Sequence, residues 1–332
     1  MSSGLRALWM GVAVVAAVAV SAAMAVPPGY VQQSTSVGAA VASFTYGGDG
    51  SLYAISPGSE VTLIAPDGGR TSIAVTGAEF NFVSGMCVSG NTLYVANAVT
   101  YGAGALYSVN LTTGAAAKMF DVPAIDKVAV SPTGAVFYSD TSGTDFYTGA
   151  QHGSVNQAVY SPASGTWLAQ PLVSDLAFPS GLAFNSAGDL YFLQSNMSFA
   201  GEVYKLTAAQ VTAGVATTPE LIADNLSAAF SLAMDSEGDL FATGGGGLLQ
   251  LDRNADGSFA GTASVFDAHG FSTAVAFTPG ANAFEGGAGY AGGKLSYFGE
   301  YGDSDLLTIT TVPEPATAAL LLAGFGLLKR RK

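Results

Sequence analysis

The sequence predicts an all-β fold: a six-bladed β-propeller with four strands in each blade. A unit built around an apolar residue and an aromatic residue recurs six times, and its markers lie 41 to 54 residues apart, which is typical of one propeller blade per repeat. Every unit also contains short runs of alternating apolar and polar residues, separated by Gly, Asp, Asn or Pro. The markers are Leu52, Leu93, Val136, Leu190, Leu240 and Phe284.

The four strands of each unit follow one order. The first is an alternating segment such as "VASFTY" or "SGLAFN", and the second follows a glycine-containing turn, as in "GDGSLYAI" and "NSAGDLYFL". The third and fourth run from "SEVTLIAP" and "TSIAVT" in the first unit to "GKLSYF" and "LLTIT" in the sixth. Six such sets form a ring without long exposed sheet edges. A seven-bladed ring and a two-sheet sandwich remain alternatives, because the third unit is long.

Composition and charge narrow the class of function. Apolar residues make up 49% of the chain, enough for a packed core. Once the terminal segments are set aside, 6 basic and 23 acidic residues remain, a net charge near −17. A surface this acidic repels phosphate backbones, so we expect no nucleic-acid partner. Cys87 is the only cysteine, which excludes an intramolecular disulfide.

Residues 1–25 are predicted to be a secretory signal peptide. Arg6 precedes an apolar stretch over residues 8–20, and small residues ending in Ala23-Met24-Ala25 form a cleavage site. This pattern predicts export by the Sec machinery, with the propeller occupying residues 26–311. A retained membrane anchor is the alternative.

Residues 312–332 form a second targeting segment. A Pro-Glu-Pro step precedes an apolar run of 13 residues and a basic tip, and this order resembles the PEP-CTERM sorting signal of Gram-negative bacteria. The resemblance implies recognition by exosortase, cleavage near the Pro-Glu-Pro step, and a transient inner-membrane anchor before the body reaches the cell surface or extracellular matrix. A plain tail anchor is the alternative. The sorting residues are Pro313, Glu314, Pro315, Lys329, Arg330, Arg331 and Lys332.

The repeats of the body resemble NHL and gluconolactonase-like six-bladed propellers, most clearly in "FPSGLAFNSAGDLYF". The resemblance implies a divalent metal in the central channel, held by Glu, Asn and Asp at the starts of strands. Only one matching position, Asp126, carries a strong oxygen ligand. The departure from the family pattern predicts that the chain is not an enzyme of this class. The matching positions are Ser84, Asp126, Ser180, Phe230 and Ser272.

Other chemical motifs are few. The chain contains no G-x-S-x-G, CxxC, HExxH or P-loop pattern, and His152 and His269 are its two histidines. The segment "DRNADGS" spaces Asp252, Asn254 and Asp256 as in a calcium loop, which makes Ca²⁺ a candidate cofactor. The same residues also form ordinary β-turns.

The sequence therefore predicts an exported, exosortase-processed propeller at the cell surface or in the extracellular matrix. We expect a non-catalytic binding or structural protein, with extracellular polysaccharide as a candidate partner. Aromatic residues in glycine-rich loops support the polysaccharide, because sugar faces stack on rings. The alternative is a metal-dependent, lactonase-like hydrolase that uses the central channel. The loop aromatics are Tyr101, Phe146, Tyr147, Tyr290 and Tyr301.

Overall fold

Antiparallel strands form nearly all of the regular structure, as the alternating sequence pattern predicts. The computed structural model describes residues 26–27, 30–38, 40–98, 103–145, 150–195, 200–214, 218–235, 238–245, 247–268, 274–278, 294–298 and 305–311. The predicted signal peptide, the predicted sorting segment, His269, Ser272 and the five loop aromatics lie outside these residues. Within them, no helix has the length and apolar character needed to cross a membrane.

The strands fall into sets of four that follow the chain. The first two sets are β2 (Ser43–Tyr46), β3 (Leu52–Ile55), β4 (Glu60–Ile64), β5 (Arg70–Ala74), and β6 (Val83–Ser89), β7 (Thr92–Asn97), β8 (Ala105–Asn110), β9 (Ala116–Asp121). The third and fourth are β10 (Ile125–Val130), β11 (Val136–Asp140), β12 (Gly153–Ser161), β13 (Thr166–Leu176), and β14 (Phe178–Phe184), β15 (Leu190–Ser195), β16 (Ala200–Leu206), β17 (Glu220–Ser227). The fifth is β18 (Ala229–Met234), β19 (Leu240–Gly244), β20 (Gly247–Arg253), β21 (Phe259–Asp267).

The last set is completed by the N-terminal strand. The strands β22 (Val275–Phe277), β23 (Leu295–Phe298) and β24 (Asp305–Thr311) form a sheet whose fourth member is β1 (Tyr30–Ser36). The prediction that "GKLSYF" is the third strand of its unit is wrong, because β23 pairs directly with β22 and is the second. Because β1 and β24 come from opposite ends of the described chain, their pairing closes the ring. The sequence near β1 carries no sign of this distant partner, and β1 is therefore not among the strands predicted from the sequence.

Each set is antiparallel, and the first five have their strands in chain order, whereas β1 follows β24 in the last. The fourth and fifth sets join at one parallel bridge, Ala223 to Gly261. The single helix among the described residues, α1 (Ala208–Ala213), connects β16 to β17. Thr207 caps it, and its side chain and that of Gln210 form a capping box. The prediction of an all-β, propeller-like fold is confirmed.

The core consists of apolar clusters between successive sets. One cluster brings Phe80 and Val61 together with Leu93, and so fills the space between the first two sets. Another combines Phe44 of the first set with Leu306 of the last, so the packing also continues between the two ends of the chain. Burial between faces of neighbouring sheets, rather than within one sheet, stabilises this architecture.

The first strands of the sets pack closely on one another around the centre. Each of β2, β6, β10, β14, β18 and β22 contacts the next, and β22 contacts β2. Glycines permit this approach: a Cβ on Gly85 would lie 3.0 Å from Asp126 O, and one on Gly181 would lie 3.0 Å from Leu232 N. The "SG" pairs in "VSGMCV" and "PSGLAF" therefore serve packing at the centre.

Candidate active site beside the central channel

A narrow polar space runs where the six innermost strands meet. It has a volume of about 60 Å³, and residues from β2, β6, β10, β14 and β18 and from the start of β22 line it. We call this space the channel. Ser43, Ser84 and Ser231 contribute hydroxyl groups to its wall, and Lys127 contributes the only charged side chain among the described residues that line it. The channel therefore presents mainly neutral oxygens, with one ammonium group.

A larger cavity opens beside the channel. Its volume is about 490 Å³, and Ser84 lines both spaces, so the two meet at this residue. Phe82 stands in its wall and is 56% exposed. The wall is mostly apolar, with three polar residues. The lining residues are Phe82, Ser84, Ala98, Pro123, Ala124, Ile125, Asp126 and Thr141.

The residues at the junction of cavity and channel lie where the inner strands depart from regular pairing. The pairing of β6 with β7 shifts between Val83 and Gly85, and that of β10 with β11 shifts between Ile125 and Val128. Similar shifts interrupt β14 and β18. Bulges re-aim side chains and are common beside active sites. Here they fall on Ser84, Asp126 and Phe230 and next to Ser180, four of the positions that the resemblance to gluconolactonase-like propellers implied.

Asp126 and Lys127 form an ion pair at this junction. Lys127 Nζ lies 3.0 Å from Asp126 Oδ1, and it donates a second hydrogen bond to Ser84 O at 2.7 Å. The side chains are 12% exposed for Lys127 and 26% for Asp126. The backbone N–H of Lys127 donates to Ser139 Oγ at 2.9 Å, and Ser139 is fully buried. The pair is thus fixed in place, with Asp126 in the wall of the cavity and Lys127 in the wall of the channel.

The described residues do not fit a divalent metal in the channel. No group of three His, Cys, Asp or Glu side chains that could hold an ion occurs in the part of the chain that the structure describes. Asp126 is the predicted ligand, but its partner cancels its attraction. At an effective dielectric constant of about 20, a divalent cation about 4 Å from each group would gain roughly 8 kcal/mol from the carboxylate and lose about the same amount to repulsion by the ammonium. Neutral hydroxyls alone are weak ligands for a hard cation.

The other predicted metal-ligand positions carry no charge. Ser84 Oγ donates to the backbone carbonyls of Ala96 and Ile125, each at 3.3 Å. Ser180 is 4% exposed, and its hydroxyl has no hydrogen-bond partner among the described residues. Phe230 is an aromatic residue and offers no oxygen side chain. The structure therefore brings Ser84 and Asp126 together, but not as a metal centre.

Of the candidate calcium residues, Asp252 lies near the end of β20, and Asn254 and Asp256 lie in the turn between β20 and β21. Asp252 accepts hydrogen bonds from Thr262 and Ser264, both at 2.7 Å, and these bonds lower its pKa. Asp256 accepts from the hydroxyl and backbone N–H of Ser258, which lowers its pKa as well. Asn254 Nδ2 donates to Ser258 Oγ at 3.0 Å. Hydrogen bonds within the turn thus engage Asn254 and Asp256, and cross-strand bonds from β21 engage Asp252. Calcium binding there stays a prediction.

Lys127 is a candidate site residue that was not predicted from the sequence. Its signal lies in "DKVAVS", where a basic residue occurs in an inner strand of a body with 6 basic residues in all. By its place in the sequence, Lys127 is one polar position of an alternating strand. Only the bulge in β10 shows that the side chain joins Asp126 at the channel rather than facing solvent.

Comparison with known proteins places the fold among enzymes and other propellers. No family model and no curated protein matches the sequence. A gluconolactonase from Xanthomonas campestris matches over 85% of this chain and 90% of its own, with 16% identity and a TM-score of 0.57. A PQQ-bound aldose sugar dehydrogenase from Streptomyces coelicolor matches over 87% and 100%, with 13% identity and a TM-score of 0.59. Regucalcin from Agrobacterium tumefaciens, described as calcium-binding, matches over 82% and 89%, with 14% identity and a TM-score of 0.53.

These neighbours correct the predicted function. We expected a non-catalytic binding or structural protein and no enzyme, and the structural neighbours contradict both expectations. A gluconolactonase and a sugar dehydrogenase are enzymes, and they favour the lactonase-like alternative. At 13–16% identity the likeness establishes the fold alone. The reaction has to be argued from the residues of this chain.

Proposed function

We propose that this protein hydrolyses a lactone, a cyclic ester, in the cavity beside the channel. The observation that carries the proposal is the Asp126–Lys127 pair, held at 3.0 Å where the cavity meets the channel. Solved neighbours named as gluconolactonases support the substrate class. Hydrolysis needs a base for the attacking water and a cavity for the ring, and this site offers both.

Asp126 is the proposed general base. Its carboxylate lines the cavity and is partly exposed, so a water molecule can reach it. Asp126 takes a proton as the water oxygen bonds to the lactone carbonyl carbon. When the tetrahedral intermediate collapses, the bond from that carbon to the ring oxygen breaks, and the departing oxygen takes the proton from Asp126. The product is an open-chain hydroxy acid, and water is the only co-reactant.

The cavity wall is the proposed binding surface for the body of the substrate. Phe82 exposes 56% of its surface, although its backbone is fixed by Ala98 N–H, which donates to Phe82 O at 2.7 Å. Pro123 and Ile125 add further apolar surface next to Asp126. An apolar wall removes water from around the ester and so strengthens the interactions of the carboxylate with the reacting atoms.

Lactone hydrolysis tests the proposal directly. We expect the purified chain to release acid from at least one member of a panel of five- and six-membered lactones, measured in a pH-stat above the uncatalysed rate. Asp126→Asn should lower kcat by about 100-fold or more, the usual contribution of a general base. Asp121→Asn is the matched control, because Asp121 also pairs with a lysine, Lys118 at 2.8 Å, but is exposed at the end of β9. Absence of turnover, or equal rates for both variants, contradicts the proposal.

We also infer that the propeller has six blades. Support comes from six sets of four strands in the described residues and from apolar clusters between successive sets, including that between the last set and the first. A crystal structure that contains a seventh meander contradicts this inference.

We further propose that the chain is exported and then sorted by its C-terminal segment. The support is in the sequence: Ala23 and Ala25 form a signal-peptidase site, and residues 313–315 form the Pro-Glu-Pro step before an apolar run and a basic tip. Exosortase is the proposed processing partner. Intact-mass analysis of protein from the native cell tests this, since loss of residues 1–25 and of the residues beyond Pro313-Glu314-Pro315 is expected. A full-length mass contradicts it.

A further inference from the structure

We propose that the Lys127 ammonium supplies the positive charge that stabilises the tetrahedral oxyanion, so that the reaction at this site is independent of a divalent metal. The inference rests on the proposed lactone hydrolysis and makes Lys127 its second catalytic residue. In the step described above, the carbonyl oxygen gains negative charge as the water oxygen bonds to carbon. A cation held beside the base is the group that this charge requires.

The side chain of Lys127 is held in a defined position by its hydrogen bonds and by the bulge in its strand. Its side chain is 12% exposed, and Nζ is held from two sides, by Ser84 O at 2.7 Å and by Asp126 Oδ1 at 3.0 Å. A bulge between Ile125 and Val128 sets the direction of the side chain. Burial of most of a lysine at the centre of an acidic protein is costly unless its charge is used or paired.

The ammonium also has the capacity to bind the oxyanion. It carries three N–H donors, and the two contacts with Ser84 and Asp126 use two of them. The third donor stays within reach of a substrate that contacts Asp126, because Nζ lies next to the carboxylate that lines the cavity. One pair of side chains thus provides the base on the cavity side and the cation on the channel side.

The same charge argues against a metal at this position. A divalent cation that used Asp126 as a ligand would lie beside Nζ and would have to displace it. The neighbouring hydroxyls of Ser84 and Ser231 are neutral and do not compensate for that repulsion. The junction therefore holds an ammonium–carboxylate pair rather than a divalent metal. This pair provides the base and the positive charge that ester hydrolysis requires.

The first experiment measures lactone hydrolysis by the full chain in excess EDTA and in Ca²⁺, Mn²⁺ or Zn²⁺. We expect rates in EDTA within two-fold of those with each metal. Lys127→Met should lower kcat by 100-fold or more with a smaller change in KM, and Lys127→Arg should restore part of the loss because it keeps the charge. Lys118→Met is the matched control, since Lys118 pairs with Asp121 at 2.8 Å on the surface. Circular dichroism and the melting temperature show whether each variant is folded.

The second experiment does not depend on turnover. Any rise in the melting temperature of the wild type that Ca²⁺, Mn²⁺ or Zn²⁺ causes beyond that of an ionic-strength-matched monovalent salt should be unchanged in Asp126→Asn. Turnover that EDTA abolishes and a metal restores, or full activity of folded Lys127→Met, overturns the inference and leaves the proposed lactonase standing. Absence of turnover on every lactone overturns both. A metal-specific rise in melting temperature of the wild type that Asp126→Asn removes also overturns the metal-independent site.

Discussion

Replacement of Gly181 by alanine tests the packing at the centre of the fold. Gly181 lies on β14, and a Cβ added there would be 2.9 Å from Leu232 Cγ, 3.0 Å from Leu232 N and 3.1 Å from Ser231 C. Two of these atoms belong to the backbone of β18, so no side-chain rotation relieves the contact. Ordinary carbon contacts are about 3.5–4.0 Å. The two inner strands therefore have to move apart by roughly 0.5–1 Å, the difference between these distances.

The expected cost follows from this displacement. Overpacking of a well-packed core costs about 1–3 kcal/mol, and the lower entropy of the unfolded alanine chain returns about 0.4–1 kcal/mol. A net loss of about 1–2 kcal/mol remains. For a domain of this size each kcal/mol lowers the melting temperature by about 2–4 °C, so we expect a fall of about 2–8 °C.

Differential scanning calorimetry of Gly181→Ala measures the effect, and Gly48→Ala is the matched control. A Cβ on Gly48 meets nothing within 4 Å, so this change is expected to leave the melting temperature within about 1 °C of the wild type. If Gly181→Ala melts with the wild type, or if both variants fall equally, the inner strands are not packed backbone to backbone as the structure has them.

Three further predictions address single side chains. Burial raises the pKa of Asp189, but hydrogen bonds from Lys205, Ala208 and Asn185 lower it more. The ionised carboxylate therefore stabilises the fold above about pH 4, and this contribution is lost as the pH falls through the depressed pKa. Urea midpoints measured between pH 6 and pH 3 should fall more steeply for the wild type than for Asp189→Asn, and parallel curves contradict this. Phe80→Ala should lower the free energy of unfolding, measured by chemical denaturation, by about 3–5 kcal/mol, because the ring is fully buried and packs edge-on against Tyr107. A decrease below about 1 kcal/mol argues against that packing. Cys87 is half-buried as a residue, but desolvation of its sulfur raises the pKa of the thiol. Its reaction with an aromatic disulfide at pH 8 should therefore be about 100-fold slower or more in the native protein than in denaturant, and equal rates mean that the thiol is exposed.

The strand pattern was predictable because it depends on local features. In the unit of Leu190, buried and less buried positions alternate along much of β16, and asparagine, glycine and aspartate occupy the turn before Leu190. These are properties of adjacent residues. The sixth unit was not predictable in the same way. Its fourth strand is Tyr30–Ser36, in which Ser36 pairs with Asp305, 269 residues later in the chain. No local sequence pattern indicates a partner at that distance.

The candidate site was predictable only in part. Asp126 was found because its position in the repeat matches a position with a known role in similar propellers. Lys127, its neighbour in the chain, was not, because a strand pattern assigns adjacent residues to opposite faces. The bulge in β10 breaks that rule, and the two side chains meet at 3.0 Å.

The amino-acid sequence by itself determined the all-β class, the order of the repeats and the acidic character of the body, because alternation, turn residues and charge are read from neighbouring positions. The tertiary structure decided how the ring closes and which charges meet at its centre. Ring closure requires the two ends of the chain to share one sheet, and the Asp126–Lys127 pair requires a local departure from regular pairing. Both depend on contacts between residues that the whole fold, and not the local sequence, brings into place.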